Sequence, residues 1–422
     1  MSIAVQILRI PGLLVGIITM LGLIMLKKPL NKIFYGTIKT ILGFLILTLG
    51  VEIIINSLEI FESLFMEAFQ VKGIYFDDNI VAGKMMAEKG DLIGVIMLLG
   101  FLTHLLIARF TRIKWIYLTG HKIWHLSAIL VLVFLSVDVP EFKLIIFSAV
   151  ILGVFMSIQP FILQPWIRKV TGNDNFGMGH TIGLLVIMSS VIAKITGKSP
   201  GKIKRDDDYN QTELIEHLSI SLSFIIFLMF LLPALFIDKP VLIEITSSQY
   251  PLVYIFRQSL QVTAGIIIVL KGVEMFLTEL IPAFEGIANR IVPDAKPALD
   301  VPVFFSYSPL GVNIGLISSF LGWTSATYLA KLFALPVIPI PSMMGIMFGG
   351  TIVGVFGFAA GGKRGAIISG FVCGAVWPLF ISVLYPLINL SNYKITGSGI
   401  LTPDLYLIII IVKFIEKAFL GY

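Results

Sequence analysis

The chain has 422 residues, of which 57% are hydrophobic and 13% are charged, and its mean hydropathy is +0.96. Soluble domains carry about 25% charged residues, so this composition excludes a protein built around a sizeable soluble domain and predicts a polytopic membrane protein. The net charge of +6 comes mainly from lysines and arginines in short polar connections, which argues against a nucleic-acid partner.

Eleven apolar segments are long enough to cross a bilayer as helices, since about 20 residues span the hydrocarbon core. In chain order they are residues 5–25, 35–55, 92–110, 123–139, 143–163, 218–236, 253–277, 312–333, 341–360, 365–387 and 401–419. The first apolar run continues into a full-length span, which predicts a helix rather than a cleaved leader.

Two further segments, 175–194 and 300–315, are interrupted by glycine, proline and polar residues. We expect them to be re-entrant hairpins, with an amphipathic helix or a plain loop as the alternative. Basic residues concentrate after the first, third and fifth spans, whereas acidic residues follow the second and fourth. Because basic loops stay in the cytoplasm, the N-terminus should lie outside and the C-terminus inside.

Two stretches of the chain read alike when one is shifted by 222 residues without a gap. The matched pairs include Gly43 with Gly265, Gly50 with Gly272, Glu52 with Glu274, and Asp78 with Asp300. Each copy holds five predicted spans, an odd number, so two copies in series have opposite orientations in the membrane. The sequence therefore predicts, in order, a first repeat (1–195), a cytoplasmic linker (196–217), a second, inverted repeat (218–390) and an added helix (391–422).

Ionisable groups within membrane spans are costly and are usually functional. His121 and His125 are four positions apart on one predicted helix, so their rings should face the same way. Such a pair could bind a metal ion, stabilise the fold or hydrogen-bond a hydroxyl-rich ligand, because imidazole both donates and accepts. No acid lies between the two histidines and the only cysteine, Cys373, is far away, so we expect neither a metal nor another cofactor.

Asp300 is the strongest single candidate for a ligand contact. It precedes a Val-Pro dipeptide, and proline disfavours helix in the residue before it. The carboxylate should therefore lie at a helix break, where it can accept hydrogen bonds from sugar hydroxyls or take a proton from one. The alternative is a cap on the following helix, which does not exclude ligand binding. Glu52 and Glu274 favour a structural role, with an ion pair between Lys271 and Glu274.

The run from Glu279 to Ala288, ELIPAFEGIA, resembles the IIC permeases of the bacterial phosphotransferase system, ascorbate type, in the galactitol–ascorbate superfamily. Other motifs fit the same family: Gly36-Thr37-Ile38-Lys39-Thr40, Leu118-Thr119-Gly120-His121, Phe176-Gly177-Met178-Gly179-His180 and Ala298-Leu299-Asp300. The match runs over nearly the whole chain in the same order.

The resemblance implies a homodimer in the bacterial cytoplasmic membrane, with a sugar site near the middle of the lipid bilayer. It also implies that the chain is a transport component, because phosphate must come from separate IIA and IIB proteins. Together with His121, the residues expected to bind substrate are Asn79, His125, His180, Thr181 and Asp300. Either Asp300 or His180 would take the proton of the hydroxyl that receives phosphate.

Ascorbate is the first substrate that the resemblance suggests. Because His125 and Thr181 stand where ascorbate carriers have glutamine, a pentitol, a hexitol or another sugar acid is the alternative. A different class of protein also fits the duplication, namely an ion-coupled secondary transporter of a small polar metabolite.

Overall fold

The computed structural model describes residues 11–136, 139–198, 211–288, 292–388, 390–393, 395 and 397–415. The start of the first predicted span, most of the predicted linker (196–217) and the end of the last predicted span lie outside these residues.

Both halves of the chain are mostly helical. Very short strands lie between some of the helices and pair in parallel. The first half contains α1 (Pro11–Met25), α2 (Leu30–Phe69), β1 (Tyr75–Phe76), α3 (Asp78–Phe110), β2 (Trp115–Tyr117), α4 (Gly120–Leu135), α5 (Glu141–Thr171), β3 (Gly177–Met178) and α6 (Gly183–Thr196). The second half begins with α7 (Gln211–Ala234), α8 (Lys239–Ile245), α9 (Pro251–Ala288), β4 (Lys296–Leu299), a 3-10 helix (Val301–Tyr307) and α10 (Pro309–Leu332). It ends with α11 (Met343–Gly345), a π-helix (Ile346–Gly350), α12 (Thr351–Leu384), two 3-10 turns (Tyr385–Leu387 and Leu390–Tyr393), β5 (Ser398–Gly399) and α13 (Pro403–Ile415).

The long apolar helices agree with a polytopic membrane protein. Each of the eleven predicted spans coincides with helix over most of its described residues. By length and apolar composition, five helical segments in the described part of the chain are able to cross a membrane, or six if one bent pair counts as a span. The number eleven therefore stays a prediction, whereas the mostly helical membrane architecture does not depend on it.

The helices break where the sequence predicts interruptions. The 3-10 helix and α10 meet at an angle of 117° around Ser308 within the segment 300–315. The segment 175–194 begins with β3 and a turn before α6 starts. Between the predicted spans 341–360 and 365–387, α12 bends at Gly362, whose φ of 64° is left-handed and free of strain only in glycine.

The strand pairing repeats itself under the 222-residue shift. β1 pairs in parallel with β5, with Tyr75 opposite Ser398. β4 pairs in parallel with β3, with Ala298 opposite Gly177. Shifted by 222 residues, the pair Tyr75–Ser398 falls on residues 297 and 176, which immediately precede the pair Ala298–Gly177 on both strands. The two strand pairs therefore have the same register. Each half of the chain thus contributes one strand to each of these two pairs, and β2 pairs in parallel with the other edge of β4.

Helices α2 and α9 pack against each other through glycines that match under the shift. A Cβ atom on Gly50 would lie 2.7 Å from the carbonyl oxygen of Gly265, and one on Gly272 would lie 2.6 Å from that of Gly43. Gly43 of α2 contacts Gly272 of α9, whereas the later Gly50 contacts the earlier Gly265. The two helices therefore run antiparallel. Small residues allow this close approach of two backbones in an apolar environment.

Replacing Gly50 by alanine should lower the thermal unfolding temperature of the purified protein, because the added methyl group forces α2 away from α9. Overpacking of this kind costs about 1–3 kcal/mol. Gly94→Ala is the matched control, since no atom lies within 4 Å of a Cβ at that helical position. Equal unfolding temperatures for the two variants would contradict the close glycine contact.

Candidate functional site

A cavity of about 620 Å³ is lined by residues from both halves of the chain. Small-molecule sites usually measure about 300–1,000 Å³ and are mostly apolar with a few placed polar groups, which is the character of this lining. The ionisable and amide side chains that line it are Glu52, Asp77, Asp78, Asn79, His121, Lys122, His125, His180 and Asp300. This cavity is the candidate substrate site.

Asp300 lies between two imidazole rings. Its Oδ1 atom is 3.8 Å from Nε2 of His180, and its Oδ2 atom is 3.8 Å from Nδ1 of His121. Both separations exceed a hydrogen bond, which spans about 2.7–3.2 Å. The carboxylate also accepts a hydrogen bond of 2.7 Å from the backbone N–H of Val301 and so caps the 3-10 helix. Capping and exposure to the cavity therefore occur together.

The first turns of α4 supply three polar groups to the cavity wall. The ring centroids of His121 and His125 are 5.7 Å apart, which confirms that both rings project from the same face. Between them, the buried ammonium group of Lys122 is 3.3 Å from Oδ2 of Asp78 and 3.4 Å from Nδ1 of His125. The first turns of this helix thus place two rings and one cation beside the acids of α3.

Asp78, which matches Asp300 under the shift, is engaged almost entirely with protein groups. Its Oδ1 atom accepts hydrogen bonds from the backbone N–H groups of Leu401 (2.8 Å) and Thr402 (3.2 Å). Its Oδ2 atom accepts one from the Thr402 hydroxyl at 2.9 Å. The shift carries Thr402 onto His180, so the pair Asp78–Thr402 corresponds to the pair Asp300–His180. Of the two acids, Asp300 keeps more of its carboxylate open to the cavity.

The other predicted binding residues differ in position. Asn79 is half-buried at the cavity wall, and its Oδ1 atom lies 3.0 Å from Nε2 of His125. Thr181 is fully buried and does not line the cavity, and its hydroxyl lies 2.9 Å from that of Thr402. Because the Thr402 proton is donated to Asp78, Thr181 is the donor in this second hydrogen bond. The structure therefore brings five of the six predicted residues to the cavity and puts Thr181 behind its wall.

Sequence reasoning missed three residues at this site. The first is Lys122, whose ammonium group contacts Asp78 and which directly follows His121 in the sequence. Trp124 lines the cavity, and its buried Nε1 atom has no hydrogen-bond partner in the described part of the chain. Asp404 is a buried acid within a predicted span, so the rule that flagged Asp300 applied to it as well.

Asp404 holds the start of α6, the helix that follows His180. Its two carboxylate oxygens accept hydrogen bonds from the backbone N–H groups of Gly183 at 2.7 Å and Leu184 at 2.9 Å. Carboxylates at helix N-termini satisfy free N–H groups and interact favourably with the helix dipole. Asp404 thereby fixes the turn that presents His180 to the cavity.

The loop that precedes β3 is held by Asp174. Arg168 donates a hydrogen bond from Nε to its carboxylate at 2.9 Å, and Gln164 donates a second at 2.7 Å. Nη2 of Arg168 also forms an ion pair with the other carboxylate oxygen at 2.8 Å. The pKa of Asp174 is lowered, first by the hydrogen bond from Arg168 and then by that from Gln164. The small stabilisation from this exposed contact is present at neutral pH and is lost as the pH falls through the lowered pKa.

The ligand atoms of His121, His180 and Asp300 lie within 4.8 Å of one another. Two imidazoles and one carboxylate form a donor set that suits first-row transition-metal ions. The separations of 3.8 Å from Asp300 to the rings would have to shorten around an ion whose bonds measure about 2.0–2.2 Å. The geometry admits a metal ion, and the expectation that none is required stays a prediction.

Residues 6–402 match the profile of a family described as the sugar-specific permease component of the phosphotransferase system, PTS, of the galactitol–ascorbate type. The chain belongs to this family. The resemblance found in the sequence motifs is thereby confirmed, and the permease is a multi-pass membrane protein. It is also similar to the ascorbate-specific PTS system EIIC component of Mycoplasma pneumoniae (strain ATCC 29342 / M129), with 26% identity over 447 residues. The similarity covers 91% of this chain and 66% of that relative, just under two thirds of its length.

Asp404→Asn should destabilise the permease by about 1 kcal/mol or more, because one of the two backbone N–H groups of α6 loses its acceptor. The thermal unfolding temperature should fall. Asp238→Asn is the matched control, since Asp238 stands at the start of α8 and its side chain makes no capping hydrogen bond. A control that loses as much stability as Asp404→Asn would contradict the capping role.

Removing metal ions with EDTA should leave ligand binding by the purified permease unchanged, because the polar groups of the cavity suffice to hold a hydroxylated ligand. The measurement is a binding titration before and after dialysis against the chelator. Loss of binding that added Zn²⁺ restores would overturn the expectation and assign His121, His180 and Asp300 to an ion.

Proposed function

We propose that this permease is the IIC component of a phosphoenolpyruvate-dependent phosphotransferase system. It carries ascorbate or a related sugar acid or polyol inward by alternating access, and the substrate is phosphorylated as it arrives. The observation that carries this proposal is the cavity in which the Asp300 carboxylate faces two imidazole rings, in a chain of this permease family.

The two halves are proposed to be inverted repeats. The antiparallel contact of α2 with α9, through glycines that match under the shift, supports this orientation. The common register of the β1–β5 and β4–β3 pairs also supports inverted repeats. Since β5 takes the place in the second half that β3 has in the first, we count β5 and α13 within the second repeat rather than as an added helix. A repeat that can adopt two equivalent packings can open the shared site to either side of the membrane.

The substrate is held by hydrogen bonds to its hydroxyl groups. A hydroxyl between Asp300 and His180, or between Asp300 and His121, can donate to the carboxylate and accept from an imidazole, which explains the open spaces of 3.8 Å. His125 and Asn79 extend this polar wall towards Asp78. Thr181 contributes by holding Thr402 behind the wall.

Phosphoryl transfer requires the partners IIA and IIB, which bring phosphate from the cytoplasm. The substrate hydroxyl oxygen forms a bond to phosphorus as the bond between phosphorus and its IIB carrier residue breaks. Asp300 or His180 accepts the hydroxyl proton during this step. In this proposal the permease is a homodimer in a bacterial cytoplasmic membrane, with its N-terminus outside and its C-terminus in the cytoplasm.

Transport by membrane vesicles tests the proposal. Uptake should require IIA, IIB and phosphoenolpyruvate, and the product inside should be phosphorylated. Uptake of unmodified substrate that is driven by a proton or sodium gradient, without IIA and IIB, would replace the proposal with an ion-coupled secondary transporter.

Asp300→Asn should abolish most phosphorylation in these vesicles while the protein keeps its fold, because the amide has the same shape but cannot take a proton. A loss of about 100-fold or more is expected of a catalytic base. Asp294→Asn is the control, since Asp294 is an exposed acid in the loop before β4. Phosphorylation at the wild-type rate by Asp300→Asn would exclude the base role.

A further inference from the structure

We infer that the substrate of this permease is an uncharged polyol or sugar rather than a sugar acid such as ascorbate. The inference rests on the proposed function and narrows its substrate class. It depends on the distribution of charge around the cavity.

The cavity lining carries an excess of negative charge. Four carboxylates line it, from Glu52, Asp77, Asp78 and Asp300, against the single ammonium group of Lys122. Like charges along a mostly apolar cavity wall repel more strongly than they do in bulk water, because the apolar lining lowers the effective dielectric. An anionic substrate would add one more negative charge to this set.

The cation of the cavity is already paired. The side chain of Lys122 is only 8% exposed, and its ammonium group lies 3.3 Å from the carboxylate of Asp78. A substrate carboxylate would meet an ammonium group that is largely buried and whose charge Asp78 already compensates, and the other contacts of Asp78 hold residues 401 and 402 in place. Lys122 therefore serves as the partner of a structural acid rather than as a counterion for the ligand.

Carboxylates of the protein itself already cap three helix N-termini near the cavity. Free N–H groups at a helix N-terminus are a common anion site. Here Asp77 caps α3, Asp300 caps the 3-10 helix and Asp404 caps α6. The N-terminus of α4 has no side-chain cap. Lys122 in its first turn pairs with Asp78, which places a carboxylate next to this helix start as well.

The polar groups at the cavity surface suit hydroxyls. Nε2 of His180 and Nδ1 of His121 each lie 3.8 Å from an oxygen of the Asp300 carboxylate, which is too far for a hydrogen bond. The two imidazoles and the carboxylate offer both donors and acceptors, and a hydroxyl group can satisfy either kind. The rings of Trp124 and Trp377 supply apolar surface for the carbon chain of such a ligand.

Binding measurements on the purified permease with matched ligand pairs test this inference. Each pair is an alditol and the aldonate of the same carbon chain and stereochemistry, so that a carboxylate replaces one hydroxymethyl group, and ascorbate is added to the panel. The best uncharged ligand should bind at least about tenfold more tightly than its acid, since like-charge contact costs more than the 1.4 kcal/mol that corresponds to tenfold. An aldonate or ascorbate that binds more tightly than every uncharged compound would overturn the inference.

Glu52→Gln tests the electrostatic cause. Glu52 is an exposed side chain that lines the cavity, so its neutralisation should narrow the preference for the uncharged ligand by about threefold or more. Glu274→Gln is the matched control, because Glu274 occupies the equivalent position in α9, does not line the cavity and pairs with Lys271 at 2.8 Å. A preference that stays the same in Glu52→Gln, or that narrows equally in both variants, contradicts the inference.

Failure of this inference differs from failure of the proposed function. If vesicles phosphorylate a sugar acid but no uncharged compound, the permease is a phosphotransferase component and the inference on charge is wrong. If uncharged compounds bind as expected and enter without phosphate, the inference on charge holds and the proposed function is wrong.

Discussion

The carboxylate of Asp78 joins three distant parts of the chain, and the geometry of the cavity depends on it. It begins α3, pairs with Lys122 on α4 and accepts hydrogen bonds from both Leu401 and Thr402. Buried charge is tolerated only when it is paired and hydrogen-bonded, and Asp78 meets both conditions. Through Thr402 the same contact reaches Thr181, so the wall next to His180 is fixed from the opposite end of the chain.

Two acids that match under the 222-residue shift, Asp78 and Asp300, have different surroundings in the permease. Asp78 uses its oxygens to hold the backbone near residue 402, whereas Asp300 faces the cavity beside His180. The difference follows from the matched partner: a threonine hydroxyl donates directly to Asp78, while the imidazole of His180 stays 3.8 Å from Asp300. In the proposed repeat, the acid of the first half thereby holds the scaffold, whereas the acid of the second half is free to contact a ligand.

Much of this site could be predicted from particular residues. The shift that matches Asp78 with Asp300 and Gly50 with Gly272 pointed to groups that the structure brings to the cavity or to the α2–α9 contact. Helical spacing also predicted the common face of the two histidines on α4. The strands could not be predicted, because segments of two to four residues show no periodicity and their partners are set by tertiary contacts. The position of the Thr181 side chain behind the cavity wall could not be predicted either, because it depends on the tertiary contact with Thr402.

The pairing of β1 with β5 has a consequence for how the protein is made. The carboxylate of Asp78 and the backbone of Leu401 are separated by 323 positions in the chain, yet they are in direct contact. Contacts between such distant residues form late, because the intervening chain must first be ordered. During synthesis the helices of the first half therefore enter the bilayer with an incomplete cavity wall. Until residues 401 and 402 have been synthesised, Asp78 lacks the backbone N–H groups that hold it in the folded permease. The buried pair of Asp78 and Lys122 is therefore completed only after the second half of the chain has followed the first.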